Sequence, residues 1–144
     1  MKTLKRKFTA LRAALRRKRT ALIMGELIAF PKDSMGFHLG CLLFNNSYEQ
    51  DPVPEIEDVY RLLISHEVSN KEEVAMHYYL FGNGDVSLKT LLVVASGAMF
   101  MPHYLSYFRN RYRGGRQALR FYDLDHFRML HLPIKRIKVT FLIH

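Results

Sequence analysis

The stretch Glu55–His77, EIEDVYRLLISHEVSNKEEVAMH, places six acidic side chains, two histidines and Arg61 on what its apolar spacing makes two consecutive helices. Carboxylates and imidazoles are the groups that hold a divalent cation or move a proton. Glu57, Asp58 and Arg61 share one side of the first helix, opposite Ile56, Val59, Tyr60 and Leu63 at i, i+3, i+4 and i+7. Arg61 stands i+4 from Glu57 and i+3 from Asp58, close enough to pair with either. Glu72 and Glu73 open the second helix, where the dipole favours acids whatever their function. Two readings stand at this level: a functional constellation, or the wet side of a helical hairpin with an ion pair worth roughly a few tenths of a kcal/mol. His66 and His77 follow no ligand spacing with each other and are left out of the constellation.

A second group is basic. Arg109, Arg111 and Arg113 interleave with Tyr104, Tyr107, Phe108 and Tyr112, and Arg113-Gly114-Gly115-Arg116 reads as a turn that breaks the helix. Two glycines there would let backbone approach a phosphate or headgroup closely, which makes Arg113, Gly115 and Arg116 candidate lipid-headgroup residues. Aromatics at helical spacing also describe core, and arginines between them a solvated face.

The elements that position these groups are helical. Pro31-Lys32-Asp33-Ser34 stops one helix and caps the next, which carries Met35, Leu39, Leu42 and Leu43. Gly36 and Gly40 share a face of it and permit close helix contact. Asn45 to Pro54 is the longest loop. Ser69-Asn70-Lys71-Glu72 is a capping box, and Gly82-Asn83-Gly84 ends the helix it opens. A further helix starts near Ser87 and runs to Pro102, with only small residues from Ala95 to Ala98. Pro133 suits the first turn of a closing helix. The fold class expected is all-α: a single-domain bundle of about six to seven helices over residues 21–144, preceded by a basic amphipathic arm at 1–20.

Charge and cysteine narrow the classes. The net charge is +9, but residues 1–20 hold nine Lys and Arg and no acid, leaving thirteen of each sign in the rest. Leu4, Phe8, Leu11 and Leu15 would make one apolar stripe between basic flanks, suited to an anionic membrane surface. The same pattern describes a mitochondrial targeting segment or a solvated tail. A balanced body disfavours nucleic acid. The one cysteine, Cys41, excludes an internal disulfide and fits a reducing compartment. No secretory signal is expected at 21–30, which Glu26 interrupts. The longest apolar run, residues 91–101, falls short of the roughly 20 residues of a spanning helix.

The order of these pieces resembles the Coq-four family of ubiquinone (coenzyme Q) biosynthesis proteins. Phe30-Pro31-Lys32-Asp33-Ser34-Met35-Gly36 is similar to its leucine-proline-x-glycine-serine-x-glycine helix start. Tyr112-Arg113-Gly114-Gly115-Arg116-Gln117-Ala118 is similar to its tyrosine, glycine-arginine and alanine turn, and Leu132-Pro133-Ile134 to its proline-leucine terminus. The likeness spans roughly residues 27–143. The family signature, histidine-aspartate, two residues, histidine, eleven residues, glutamate, holds a divalent metal described as zinc. Aligned without a gap it falls on Glu57, Asp58, Arg61 and Glu73, so the two acids match and both histidine positions depart.

Arg61 has no lone pair to give and keeps its proton, so the expectation is a site without zinc or other cofactor, its charge supplied by Arg61 across Glu57, Asp58 and Glu73. What the resemblance implies beyond this is a lipid-binding scaffold, peripheral to the inner face of a membrane (in a eukaryote, the matrix side of the mitochondrial inner membrane) and otherwise cytoplasmic. It would be a homodimer holding an isoprenoid or quinone-precursor lipid in a slender channel along Leu91 to Phe100, beside other quinone-biosynthesis enzymes. The alternative is a metal-dependent enzyme that replaces the carboxyl of a prenylated ring with a hydroxyl.

Overall fold

The computed structural model describes residues 25–46 and 54–144; the basic arm and residues 47–53 of the long loop lie outside them. The described residues form the expected all-α bundle. Residues 25–29 are helical. Then come α1 (Met35–Asn46), α2 (Ile56–Ile64), α3 (Asn70–Asn83), α4 (Leu88–Phe100), α5 (Leu105–Gln117) and α6 (Ile134–Phe141), with short 3-10 segments at Pro102–Tyr104 and His126–Met129.

Local chemistry starts these helices. The Ser34 hydroxyl accepts from Phe37 N at 3.2 Å and donates to the Pro31 carbonyl at 2.6 Å. Ser69 accepts from Glu72 N at 3.2 Å and Ser87 from Thr90 N at 3.3 Å. Such a cap contributes about 1 kcal/mol. Gly84, at φ 119°, ends α3 in the left-handed region that glycine adopts without strain. The first N–H groups of α1 find partners far along the chain. Met35 and Gly36 donate to the Leu132 and Leu130 carbonyls, each at 2.8 Å, and Ile134 N returns a bond to Asp33 O at 2.9 Å. The starts of α1 and α6 are therefore stitched together.

Helices α3 and α5 form the main pair. Their backbones touch: a Cβ on Gly82 would lie 2.1 Å from the Tyr112 carbonyl oxygen, and one on Gly115 1.9 Å from that of Tyr79. This corrects the sequence reading of Gly114-Gly115 as a turn, since α5 runs through both to Gln117. A helical glycine costs about 1 kcal/mol against alanine, and here the close approach it permits offsets that. Met76, Tyr79 and Leu80 of α3 make the core with Met35, Leu39, Leu63, Ile64 and Phe121. Full burial of one such side chain contributes roughly 2 kcal/mol.

Helix α4 lies at the edge, and at Met101 the chain turns by 104° into Pro102–Gln117. Within α4 only Thr90 and Gly97 are buried. A Cβ on Gly97 would sit 2.4 Å from Val74 Cγ1, so within the small-residue strip it is Gly97 that serves close contact with α3. Along Leu91 to Phe100, where the channel is expected, Leu91, Leu92, Met99 and Phe100 are exposed among the described residues, and Gly97 lies against Val74 on the inner side. Among the described residues no single helix is long and apolar enough to cross a membrane.

Candidate functional site

The acidic cluster is built at the start of α2. Glu55 caps the helix in a reciprocal box with Asp58, whose Oδ2 accepts from Glu55 N at 2.9 Å. That leaves Asp58 Oδ1 for Arg61 Nη1, also at 2.9 Å. Arg61 then reaches across to α3 and forks onto Glu73: Nε donates to Oε2 at 2.9 Å and Nη2 to Oε1 at 3.1 Å. The bond to Glu73 is the main reason its pKa stands above the ordinary arginine value. Glu57 does not join this network. It pairs with Lys89 of α4, so three helices meet at two ion pairs.

These residues do not fit a divalent cation. Arg61 occupies both oxygens of Glu73 and one of Asp58, and offers no lone pair in return. A metal held by Asp58 and Glu73 would face a fixed positive charge on the same oxygens.

Deeper in the same corner is a polar chain that sequence reasoning passed over. Thr90 Oγ1 lies 3.1 Å from His77 Nδ1 and donates to Asp85 Oδ2 at 2.6 Å. Burial works to raise the Asp85 pKa, but hydrogen bonds from Thr90 and Ser87 outweigh it and hold the carboxyl below its usual value. An ionised Asp85 only accepts, so the Thr90 proton points to it and Thr90 must accept from His77. The proton of His77 is therefore on Nδ1, and Nε2 carries the lone pair. Burial pushes the His77 pKa down and keeps the ring neutral. Nothing local in the sequence marked Thr90 as the partner of His77.

On the other flank Glu72 is buried and accepts from the Tyr107 hydroxyl; burial foremost, and then this bond, push that phenol up to about 12. Arg111, also buried, lies 5.3 Å from the Tyr79 ring centre and donates to the Ile64 carbonyl at the end of α2. That arginine therefore caps a helix.

The proposed headgroup residues are dispersed. Arg113 and Arg116 are exposed on α5, while Gly115 is buried against the α3 backbone and cannot approach a ligand. A cavity of about 460 Å³ opens one turn earlier, between α3 and α5, lined by Tyr78, Phe81, Leu105, Ser106, Arg109 and Tyr112. Its aromatic and leucine walls suit an apolar chain, with one guanidinium and one serine hydroxyl for a polar end. No family model matches this chain, and no curated protein matches it.

Proposed function

We propose that the protein is a Coq-four-like scaffold that binds an isoprenoid or quinone-precursor lipid in ubiquinone biosynthesis at a membrane surface, without metal catalysis. The observation that carries it is the fork of Arg61 on Glu73. A permanent cation fills the place where the resemblance expects zinc, which favours a carrier over a metal-dependent catalyst. The apolar cavity beside Arg109 supports the lipid half of the reading, one turn from the exposed Arg113 and Arg116. Lipid extraction with native mass spectrometry of protein purified in mild detergent tests it. A prenyl or acyl lipid should co-purify, and Phe81→Glu should expel it. Protein that emerges free of lipid, or lipid retained by Phe81→Glu, counts against it.

A second reading, a metal-dependent enzyme acting on a prenylated ring carboxyl, is favoured by one observation: Asp58 and Glu73 stand where the resemblance places acidic ligands. Elemental analysis of protein made without chelator separates the two. Stoichiometric zinc, iron or manganese would transfer the case to the enzyme.

A further inference from the structure

Helix α4 is apolar on both faces, yet only one face is covered. Gly97 lies against Val74 and Tyr78 of α3, and the Tyr78 hydroxyl donates to the Val94 carbonyl at 2.9 Å. Opposite them Leu88, Leu92, Ala95 and Met99 recur at i, i+4, i+7 and i+11 and stand in solvent, with Leu92 61% and Met99 70% exposed. A helix apolar all round belongs in a core or in lipid. Phe100 and Leu105 extend the uncovered surface around the 104° bend.

Charge decides between a second copy and a membrane. Residues 86–122 contain no Asp or Glu. Exposed Arg109, Arg113 and Arg116 follow the apolar elbow along α5, and none makes an ion pair among the described residues. A two-fold contact through this surface would bring like charges together. An anionic lipid surface complements both the apolar stripe and the arginines.

We propose that the outer stripe of α4, with the elbow at Phe100–Leu105, is a docking face for an anionic lipid bilayer. Leu88, Leu92 and Met99 enter the boundary between headgroups and acyl chains, and Arg113 and Arg116 meet phosphates. The proposal shares the membrane setting of the functional reading but not its cavity ligand: docking is read on vesicles, and cavity loading by extraction.

The chain contains no tryptophan, so a single introduced one reports its own surroundings. The full chain carrying Met99→Trp is mixed with vesicles of phosphatidylglycerol and phosphatidylcholine in about equal parts, with and without brominated acyl chains. A blue shift and quenching by the brominated lipid are expected for Met99→Trp. Neither is expected for Val68→Trp, at an exposed position between α2 and α3. Leu92→Glu/Met99→Glu should weaken sedimentation with these vesicles at least about tenfold. An unshifted Met99→Trp on sedimented protein would assign binding to the arm alone and overturn the proposal. So would absence of sedimentation, or a dimer of the wild type that Leu92→Glu/Met99→Glu converts to monomer.

Discussion

At the scale of single residues, the site depends on how two side chains are satisfied. Arg61 makes three charge-assisted bonds from a position about one third exposed, where solvent weakens an ion pair but a two-pronged fork retains some strength. A double-mutant cycle of Arg61→Gln with Glu73→Gln should give a coupling of about 1 kcal/mol in denaturant unfolding. Arg61→Lys should recover less than half of it, since an ammonium keeps the charge and loses the fork. A coupling near zero would mean the fork does not hold in solution. His126 is the opposite case. It is 1% exposed, packed edge-on against Tyr60 and Phe121, and neither ring nitrogen has a hydrogen-bond partner among the described residues. The Phe121 carbonyl opposes its loss of basicity without reaching bond geometry. Leaving polar atoms unpaired in a core costs about 1–3 kcal/mol, so His126→Phe should raise stability at pH 7 by roughly 1 kcal/mol. Of these groups, the i+3 pair Asp58–Arg61 could be read from spacing alone. Glu57–Lys89, thirty-two positions apart, could not, because the partner is chosen by where α4 packs.

Among the elements, the division between what spacing reveals and what packing decides is visible in the glycines. The caps at Ser34, Ser69 and Ser87 were legible because a side chain three residues from its donor decides them. Gly114-Gly115 looked like a helix end for an equally local reason. The deciding contact is the Tyr79 carbonyl on another helix, which no local pattern encodes. The two glycines should therefore behave differently. Gly115→Ala should cost about 3 kcal/mol or more, because its Cβ would meet backbone at 1.9 Å. Gly114→Ala should cost far less, its nearest neighbour being the edge of the Tyr79 ring at 3.1 Å. Comparable losses in thermal melts of the two variants would contradict the pairing of α3 and α5. Asn83 seemed only part of a stop signal, and it is the joint of the bundle. Its amide nitrogen donates to the Gly115 and Leu119 carbonyls, both at 3.1 Å, and its oxygen accepts from Phe121 N at 2.9 Å and Tyr122 N at 3.2 Å. Asn83→Asp keeps the shape, loses both donors and turns a negative charge on two carbonyls. A loss above about 3 kcal/mol is expected in urea titration, with the chain from Ala118 to Tyr122 losing amide protection first.

For the molecule as a whole, stability should have an acid edge set by histidines and an alkaline edge set by tyrosines. Burial is the main cause that lowers both His77 and His126 from the ordinary 6.5, so the folded chain holds them neutral. The unfolded chain takes up protons first as pH falls. Their contribution is complete above about 6.5 and is lost below it, through the folded values, at up to about 1.4 kcal/mol per pH unit for each ring. Asp85, held below its usual 3.8, begins to cost stability only in much stronger acid. At the other end, burial foremost pushes Tyr60 and Tyr107 from 10.0 up to about 12. Here the fold favours the protonated phenol, so stability is complete below 10 and falls as pH rises from there towards 12. Chemical denaturation from pH 4 to pH 11 should trace a plateau bounded near 6.5 and 10. His126→Phe should flatten the acid slope by one proton, and Tyr107→Phe the alkaline slope by one. An acid edge first seen near pH 4, where carboxylates titrate, would place both imidazoles in water and contradict the buried His77–Thr90–Asp85 chain.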